Sequence, residues 1–166
     1  MSATGPAEAA QLLYREALLL DTLDFDPWLE LYTPDCLFWM PAWRDDGTQT
    51  EDPDRELSLI YYRGRRNLED RVKRIRSGFS VAAAVMPRVS HIVSNVLVEP
   101  AGAEGAVRAH SAFNVSVHDV RSNRSHSYFG RYEHEIVTTD GGPLISRKII
   151  RLMNDVVPTM LDVYGI

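Results

Sequence analysis

The chain has 166 residues, 45% of them hydrophobic and 25% charged, and carries a formal net charge of −5, a composition that sustains one domain (residues 1–166) with a proper core rather than a disordered segment. An isoelectric point near 5.5 argues against a nucleic-acid partner, which calls for clustered positive charge, and no apolar run approaches the roughly 20 residues of a membrane-spanning helix. A lone cysteine, Cys36, excludes an internal disulfide and, with it, the two cysteine ligands of a Rieske cluster.

The opening stretch "MSATGPAEAAQ" lacks the basic and apolar regions of a signal peptide, so a cytoplasmic protein is expected, with residues 1–8 flexible. Residues 7–24 place Leu13, Ala17 and Leu20 at helical spacing, the mark of a core-packed helix. In "DFDPWLELYTPD" Asp26 is a candidate cap, Pro27 a first helical residue and Pro34 a stop, giving a short second helix that carries Trp28, Leu31 and Tyr32. "CLFWMPAW" and "LSLIYY" read as two strands of a hairpin, separated by the acidic loop "RDDGTQTEDPDRE". "NLEDRVKRIRSG" reads as a third helix capped by Asn67 and ended by Gly78. Leu68, Val72 and Ile75 face inward, and Glu69–Lys73 and Asp70–Arg74 form surface pairs. From Val89 the period changes to two, and residues 89–99, 106–120, 124–138 and 144–154 read as four strands. Helices segregated from a mainly antiparallel sheet define an α+β fold, with a curved sheet wrapped over the helices.

Several side chains invite a chemical reading. His110, His118, His126 and His134 recur every eight residues, but eight strand residues span about 26 Å, so neighbours in this series cannot share an ion. A hairpin centred on "RSN" sets His118 opposite His126 and His110 opposite His134, two imidazole pairs rather than a metal site, with Glu133 and Glu135 on the face opposite His134. The acidic loop lacks the pattern of a calcium loop and reads as solvated. The arginine-rich "YYRGRRNLEDRVKRIR" is either a charge-paired helix face or a dock for an acidic protein. His91, in "PRVSHIVSNV", shares a face with Val93 and Asn95, while Ile92 and Val96 point the other way. It can be a hydrogen-bonded structural residue, the stronger reading, or a base partnered by Asp35, Tyr61 or Tyr62.

Taken in order, "LYREALLLDTLDFDPWLELYTPDCLFWMPA", "ELSLIYY", "LEDRVKRI", "PRVSHIVSN", "FGRYEHEI" and "RKIIRLMND…LDVYGI" resemble the small (β) subunit of aromatic-ring-hydroxylating dioxygenases, the Rieske non-haem iron oxygenases. The resemblance runs from about Leu12 to the C-terminus. The stretch "MPAWRDDGTQTEDPDRELSLIYY" is similar to the benzoate and anthranilate branch. This resemblance implies an NTF2-like cone of the scytalone dehydratase type. It implies an α3β3 hexamer whose large subunit holds a Rieske [2Fe-2S] cluster and mononuclear iron, fed by an NAD(P)H-dependent reductase. It implies no catalytic, cofactor or metal residue in this chain, and structural or interface roles for Trp39, Arg88, His91, Asn95, Arg131 and Tyr132. The rival expectation is a stand-alone dehydratase or isomerase of the same fold using His91 with a pocket Tyr or Asp.

Overall fold

The computed structural model describes residues 4–78, 85–103 and 105–166. Helices α1 (Pro6–Asp21) and α2 (Phe25–Glu30) precede strands β1 (Tyr32–Pro41) and β2 (Ser58–Arg63), helix α3 (Arg65–Arg76), and four long strands: β3 (Arg88–Pro100), β4 (Ala106–Asp119), β5 (Arg124–Thr139) and β6 (Gly142–Leu152). The strands form one six-stranded sheet in the order β2-β1-β6-β5-β4-β3. Every neighbouring pair is antiparallel except β1 with β6.

α1 buries Ala9, Leu12, Leu13, Ala17 and Leu20 on one stripe, and Pro6 sits in its first turn where a missing N–H costs nothing. It packs against the edge strand β3 and also against β6, while α3 packs on β1 and β2. The helices thus line one face of a sheet that curves around them. The core they enclose runs in sequence from Ala9 to Ile166, the C-terminal residue being fully buried. Leu68 and Val72 of α3 are buried, and Ile75 packs partly against the same core, as their spacing predicts.

Local differences from the sequence reading have physical causes. The Thr4 backbone N–H donates to Thr138 Oγ1 at 3.1 Å and α1 starts at Pro6, within the stretch 1–8 expected to be flexible, of which residues 1–3 lie outside the described residues. α2 ends earlier than expected, so Tyr32 opens β1 instead of closing the helix. α3 begins at Arg65 after Gly64, and Asn67 does not cap it; its side-chain amide donates to the Arg63 carbonyl at 2.5 Å. The charges on α3 pair as Arg65–Glu69 and Asp70–Lys73 rather than as the sequence spacing suggested.

The β4–β5 register is displaced by one residue from the expected one. His118 faces Ser125, His126 faces Val117, His110 faces Glu133 and His134 faces Ala109. The connection is a four-residue loop, from the Asp119–Arg124 pair, with Asn123 at φ 51° and Asp119 accepting from the Arg121 N–H and the Ser122 hydroxyl. A shift of one residue turns each imidazole pair onto opposite faces. In β3, a bulge at Asn95 (φ 54°) interrupts the pairing between Ser94 and Leu97. Val96 and Val98 therefore pack toward the core with His91, and Leu97 is exposed. Asn tolerates the left-handed conformation that such a bulge demands.

The acidic loop is built rather than merely solvated. Glu56 accepts the backbone N–H groups of Glu51 and Asp52 at 2.7 and 2.8 Å and the Arg44 guanidinium at 2.5 and 2.9 Å. Those backbone bonds, with Arg44 behind them, hold its carboxyl down at about 2. Trp43 and Gln49, paired as a bridge, both donate to the Leu152 carbonyl at the end of β6, at 2.8 and 3.2 Å. The loop is thereby fastened across the outer face of the sheet.

Candidate functional site

The structure spreads the six residues singled out by the sequence over three places. Arg88, His91 and Asn95 lie on the edge strand β3, Tyr132 lies inside, and Trp39 and Arg131 lie on the outer face.

His91 meets none of its expected partners. Its side chain is 1% exposed and its Nδ1 donates to Asp21 Oδ1 at 2.6 Å. The same carboxylate accepts the His91 backbone N–H at 3.0 and 3.1 Å. That N–H points off the outer edge of β3, which has no further strand beside it among the described residues, so Asp21 at the end of α1 closes the edge. His91 Nε2 is buried with no hydrogen-bond partner among the described residues. Tyr61 is engaged elsewhere, its hydroxyl donating to Asp54 and accepting from Arg63, both at 2.8 Å. Tyr61 and Tyr62 stand on β2, at the far end of the strand order, and Asp35 is exposed. The pair His91–Asp21 is a clamp between helix and sheet: Nδ1 is committed to Asp21, and Nε2 is buried away from solvent.

The interior holds a polar cluster that the sequence reading missed. Glu16 of α1 accepts from the Tyr32 hydroxyl, from Lys148 Nζ at 2.7 Å, and from His134 Nε2 at 3.3 Å. The side chains of Glu16, His134 and Lys148 are each at most 3% exposed. Lys148 Nζ also lies 4.4 Å from the centre of the Tyr132 ring and 5.4 Å from that of Phe38, and Tyr132 stacks on Phe113 at 4.1 Å. Burial alone would push the Glu16 carboxyl up, but the Lys148 charge and the bonds from His134 and Lys148 outweigh it and hold it well below the usual range. Burial pulls His134 down despite Glu16. Burial, with the neighbouring Glu16 charge, drives the Tyr32 and Tyr132 phenols well up. The cluster is a Glu16 carboxylate held ionised beside Lys148 amid packed rings, a structural arrangement. Both charged positions were signalled in the sequence. Glu16 sits three residues after Leu13 and four before Leu20, on the apolar stripe, and Lys148 shares the inward parity of Ile150 and Leu152.

The outer face carries a groove of about 630 Å³ between the docked loop and β4–β6, bordered by Trp43, His110, Arg131, Glu133, Arg147 and Arg151. Glu133 and Arg151 form an ion pair across the β5–β6 boundary. Trp39 is buried at its floor, its indole N–H donating to Ser58 Oγ at 2.8 Å. Arg131 is exposed.

The residues of this chain do not fit an iron or iron–sulfur centre. Cys36 is buried, and burial, with the nearby Asp35 charge, pushes its thiol up to about 11, whereas a cluster ligand must be a thiolate. Among the described residues no group of three or more His, Cys, Asp or Glu side chains is placed to hold a metal ion, and no helix is long and apolar enough to cross a membrane.

Comparison with known proteins agrees with this picture. The model of the ring hydroxylating beta subunit family matches residues 15–159. The benzoate 1,2-dioxygenase subunit beta of Acinetobacter baylyi is 41% identical over 160 residues, covering 96% of this chain and 92% of its own length. The crystal structure of the beta subunit of the benzoate 1,2-dioxygenase from Burkholderia mallei superposes with a TM-score of 0.81 at 34% identity over the full length of both chains. A protein from Novosphingobium aromaticivorans assigned as a scytalone dehydratase is alike in fold alone, with a TM-score of 0.67 at 14% identity over 93% of this chain and 89% of its own. On sequence and fold together, the chain belongs to the β-subunit family of the ring-hydroxylating dioxygenases, with the NTF2-like α+β fold of that family.

Proposed function

We propose that the chain is the non-catalytic, structural small subunit of a multicomponent oxygenase that acts on an aromatic carboxylate of the benzoate, anthranilate or salicylate type. The observation that carries this reading is the match to β subunits of benzoate-type oxygenases over nearly the whole chain, and the packing at the centre of the fold agrees with it. At the centre of the fold the chain packs Phe113 on Tyr132 and seals the Glu16–Lys148 pair among aromatic rings, so neither charge is open to a ligand. A polar group buried so completely serves packing and rigidity, not proton exchange with a substrate.

In this reading the chain acts as one cytoplasmic domain within an α3β3 hexamer. The large subunit contributes the Rieske [2Fe-2S] cluster and the mononuclear iron, and a separate NAD(P)H-dependent reductase delivers electrons. His91 and Asn95 keep the edge strand in shape, and Trp39, Arg88, Arg131 and Tyr132 serve structure or contact with neighbouring subunits.

The test is co-expression with the large subunit of a benzoate-type oxygenase, with size, iron content and benzoate-dependent oxygen uptake measured in the presence and absence of this chain. Co-elution in equal numbers with an iron-loaded large subunit supports the assignment. A chain that stays alone at 18.8 kDa, or that by itself dehydrates or isomerises a substrate, refutes it.

A further inference from the structure

A second hollow lies on the inner side of the sheet, where the hairpin end of β4 and β5 meets the C-terminal segment. It holds about 360 Å³, at the small end of the roughly 300–1,000 Å³ range of small-molecule sites. Its floor follows from the register: Val117 faces His126 across one row, and Tyr128 stands two residues further along β5. His126 and Tyr128 meet edge to face, with ring centres 5.1 Å apart. Leu161 and Tyr164, from the C-terminal segment, form another wall. At the border, Val85 is 47% and Met160 84% exposed, apolar side chains left in water beside the hollow. Exposed apolar groups gathered around a concave surface mark a ligand site.

The polar groups at the hollow define what fits. The Tyr164 hydroxyl makes no hydrogen bond among the described residues, and burial, with the Asp162 charge, pushes its phenol up, so it stays protonated and can donate. The Tyr128 and Thr159 hydroxyls lie 3.3 Å apart and keep lone pairs with which to accept. Both bordering carboxylates are spent. Asp119 accepts from the Arg121 N–H and the Ser122 hydroxyl, and Asp162 from Arg71 and the Val163 N–H. Each also has an arginine to answer its charge, Arg121 for Asp119 and Arg71 for Asp162, so among the described residues no cation is left over for an anionic ligand. We infer that this hollow binds a neutral, single-ring aromatic bearing a hydroxyl, its ring against Val117, Tyr128 and Leu161 and its hydroxyl between Tyr164 and the Tyr128–Thr159 pair. Such a hydroxyl accepts from Tyr164 and donates to Tyr128 or Thr159, whereas an aromatic carboxylate would lose its water with no charge to replace it. The site lies wholly within this chain, so it stands or falls apart from the subunit reading.

The test titrates the full chain with 4-fluorophenol and, separately, 4-fluorobenzoate at neutral pH, followed by fluorine NMR. It compares wild type, Tyr164→Phe, Thr159→Trp and, as a control in the acidic loop, Leu57→Trp. Thr159 and Leu57 are exposed, Tyr164→Phe keeps the ring, and thermal unfolding checks that each variant is folded. The expected result is saturable, one-to-one binding of the phenol to the wild type. Its Kd should rise roughly three- to tenfold with Tyr164→Phe, which removes one hydrogen bond, and on the order of tenfold or more with Thr159→Trp, whose indole occupies the hollow. Leu57→Trp should leave it unchanged, and 4-fluorobenzoate should bind about tenfold more weakly or worse. Absence of saturable phenol binding to the wild type overturns the site. Binding that neither Tyr164→Phe nor Thr159→Trp moves puts the phenol elsewhere and overturns it equally. Benzoate binding as tight as that of the phenol overturns the ligand class.

Discussion

Replacing Lys148 by Met tests whether the interior cluster is held as the geometry indicates. The ammonium lies 2.7 Å from Glu16 Oε1, and neither side chain is more than 3% exposed. Methionine keeps much of the volume and removes the charge, leaving a buried carboxylate with only the Tyr32 and His134 donors. Breaking a buried pair from one side costs about 3–5 kcal/mol, and for a chain of this size each kcal/mol lowers the melting point by roughly 2–4 °C. The expected drop is therefore on the order of 6–20 °C. The pH dependence changes sign as well. In the wild type the Glu16 carboxyl is held well below its ordinary value, so its stabilisation is fully present above the unfolded pKa of about 4.3 and is lost as pH falls below it. With the cation gone, burial dominates and raises the carboxyl, so the variant gains stability as pH falls and loses it as pH rises. Urea unfolding followed by near-ultraviolet circular dichroism between pH 3 and 8 measures both effects. The Glu16→Gln/Lys148→Met double variant should recover part of the loss. A Lys148→Met protein within about 1 kcal/mol of wild type, with an unchanged pH slope, would refute the argument.

Gly130→Ala should be among the most damaging single methyl additions, because its Cβ would meet the Arg151 carbonyl oxygen at 2.1 Å and the Phe113 ring at 3.1 Å; a loss of about 1–3 kcal/mol or more is expected from melting curves, and an unshifted midpoint would contradict the β5–β6 packing. His91→Ala should lower stability or assembly by roughly 1–3 kcal/mol for each group it orphans, while turnover per assembled, iron-loaded complex stays near normal; a fully assembled variant with collapsed turnover would make His91 a base. The Cys36 thiol, buried and pushed up to about 11, should resist thiol reagents at pH 8 in the native chain and react rapidly in urea; fast labelling of the folded chain would show that the first strand is open.

The long strands were legible because period two persists over each of them, and the stripe of α1 and the inward face of α3 were legible because period 3.6 does. What failed were features that a single residue decides. Whether the β4–β5 loop has three or four residues depends on Asn123 adopting a left-handed turn, and that choice moves every histidine on the hairpin to a new neighbour. Asn95 does the same to β3, so parity read from His91 is right as far as Val93 and reversed beyond the bulge. The partner of His91 could not be read at all, since Asp21 is 70 residues away and only the curvature of the sheet brings α1 to its edge. The Glu16–Lys148 pair spans 132 residues. Each half was visible as a charge on an apolar face, but their meeting was not.

The order of the strands has a consequence for how the protein is made. β1 takes its second neighbour from β6, through a parallel pairing with residues 145–149, and Trp43 and Gln49 of the loop after it bond to Leu152. During synthesis the hairpin of β1 and β2 therefore emerges with one edge open and stays so until β6 has left the ribosome. α1 waits as long with an unanswered carboxylate, because Lys148 stands on β6, 132 residues after Glu16. The meander from β3 to β6 forms from neighbouring segments and can assemble as soon as it appears, whereas closing the sheet onto β1 brings together segments more than a hundred residues apart, the slow kind of contact. At translation rates of about 5–20 residues per second, the apolar first strand, with Phe38, Trp39 and Met40, is unprotected for several seconds. That interval, rather than the finished fold, is when this chain is most exposed to aggregation.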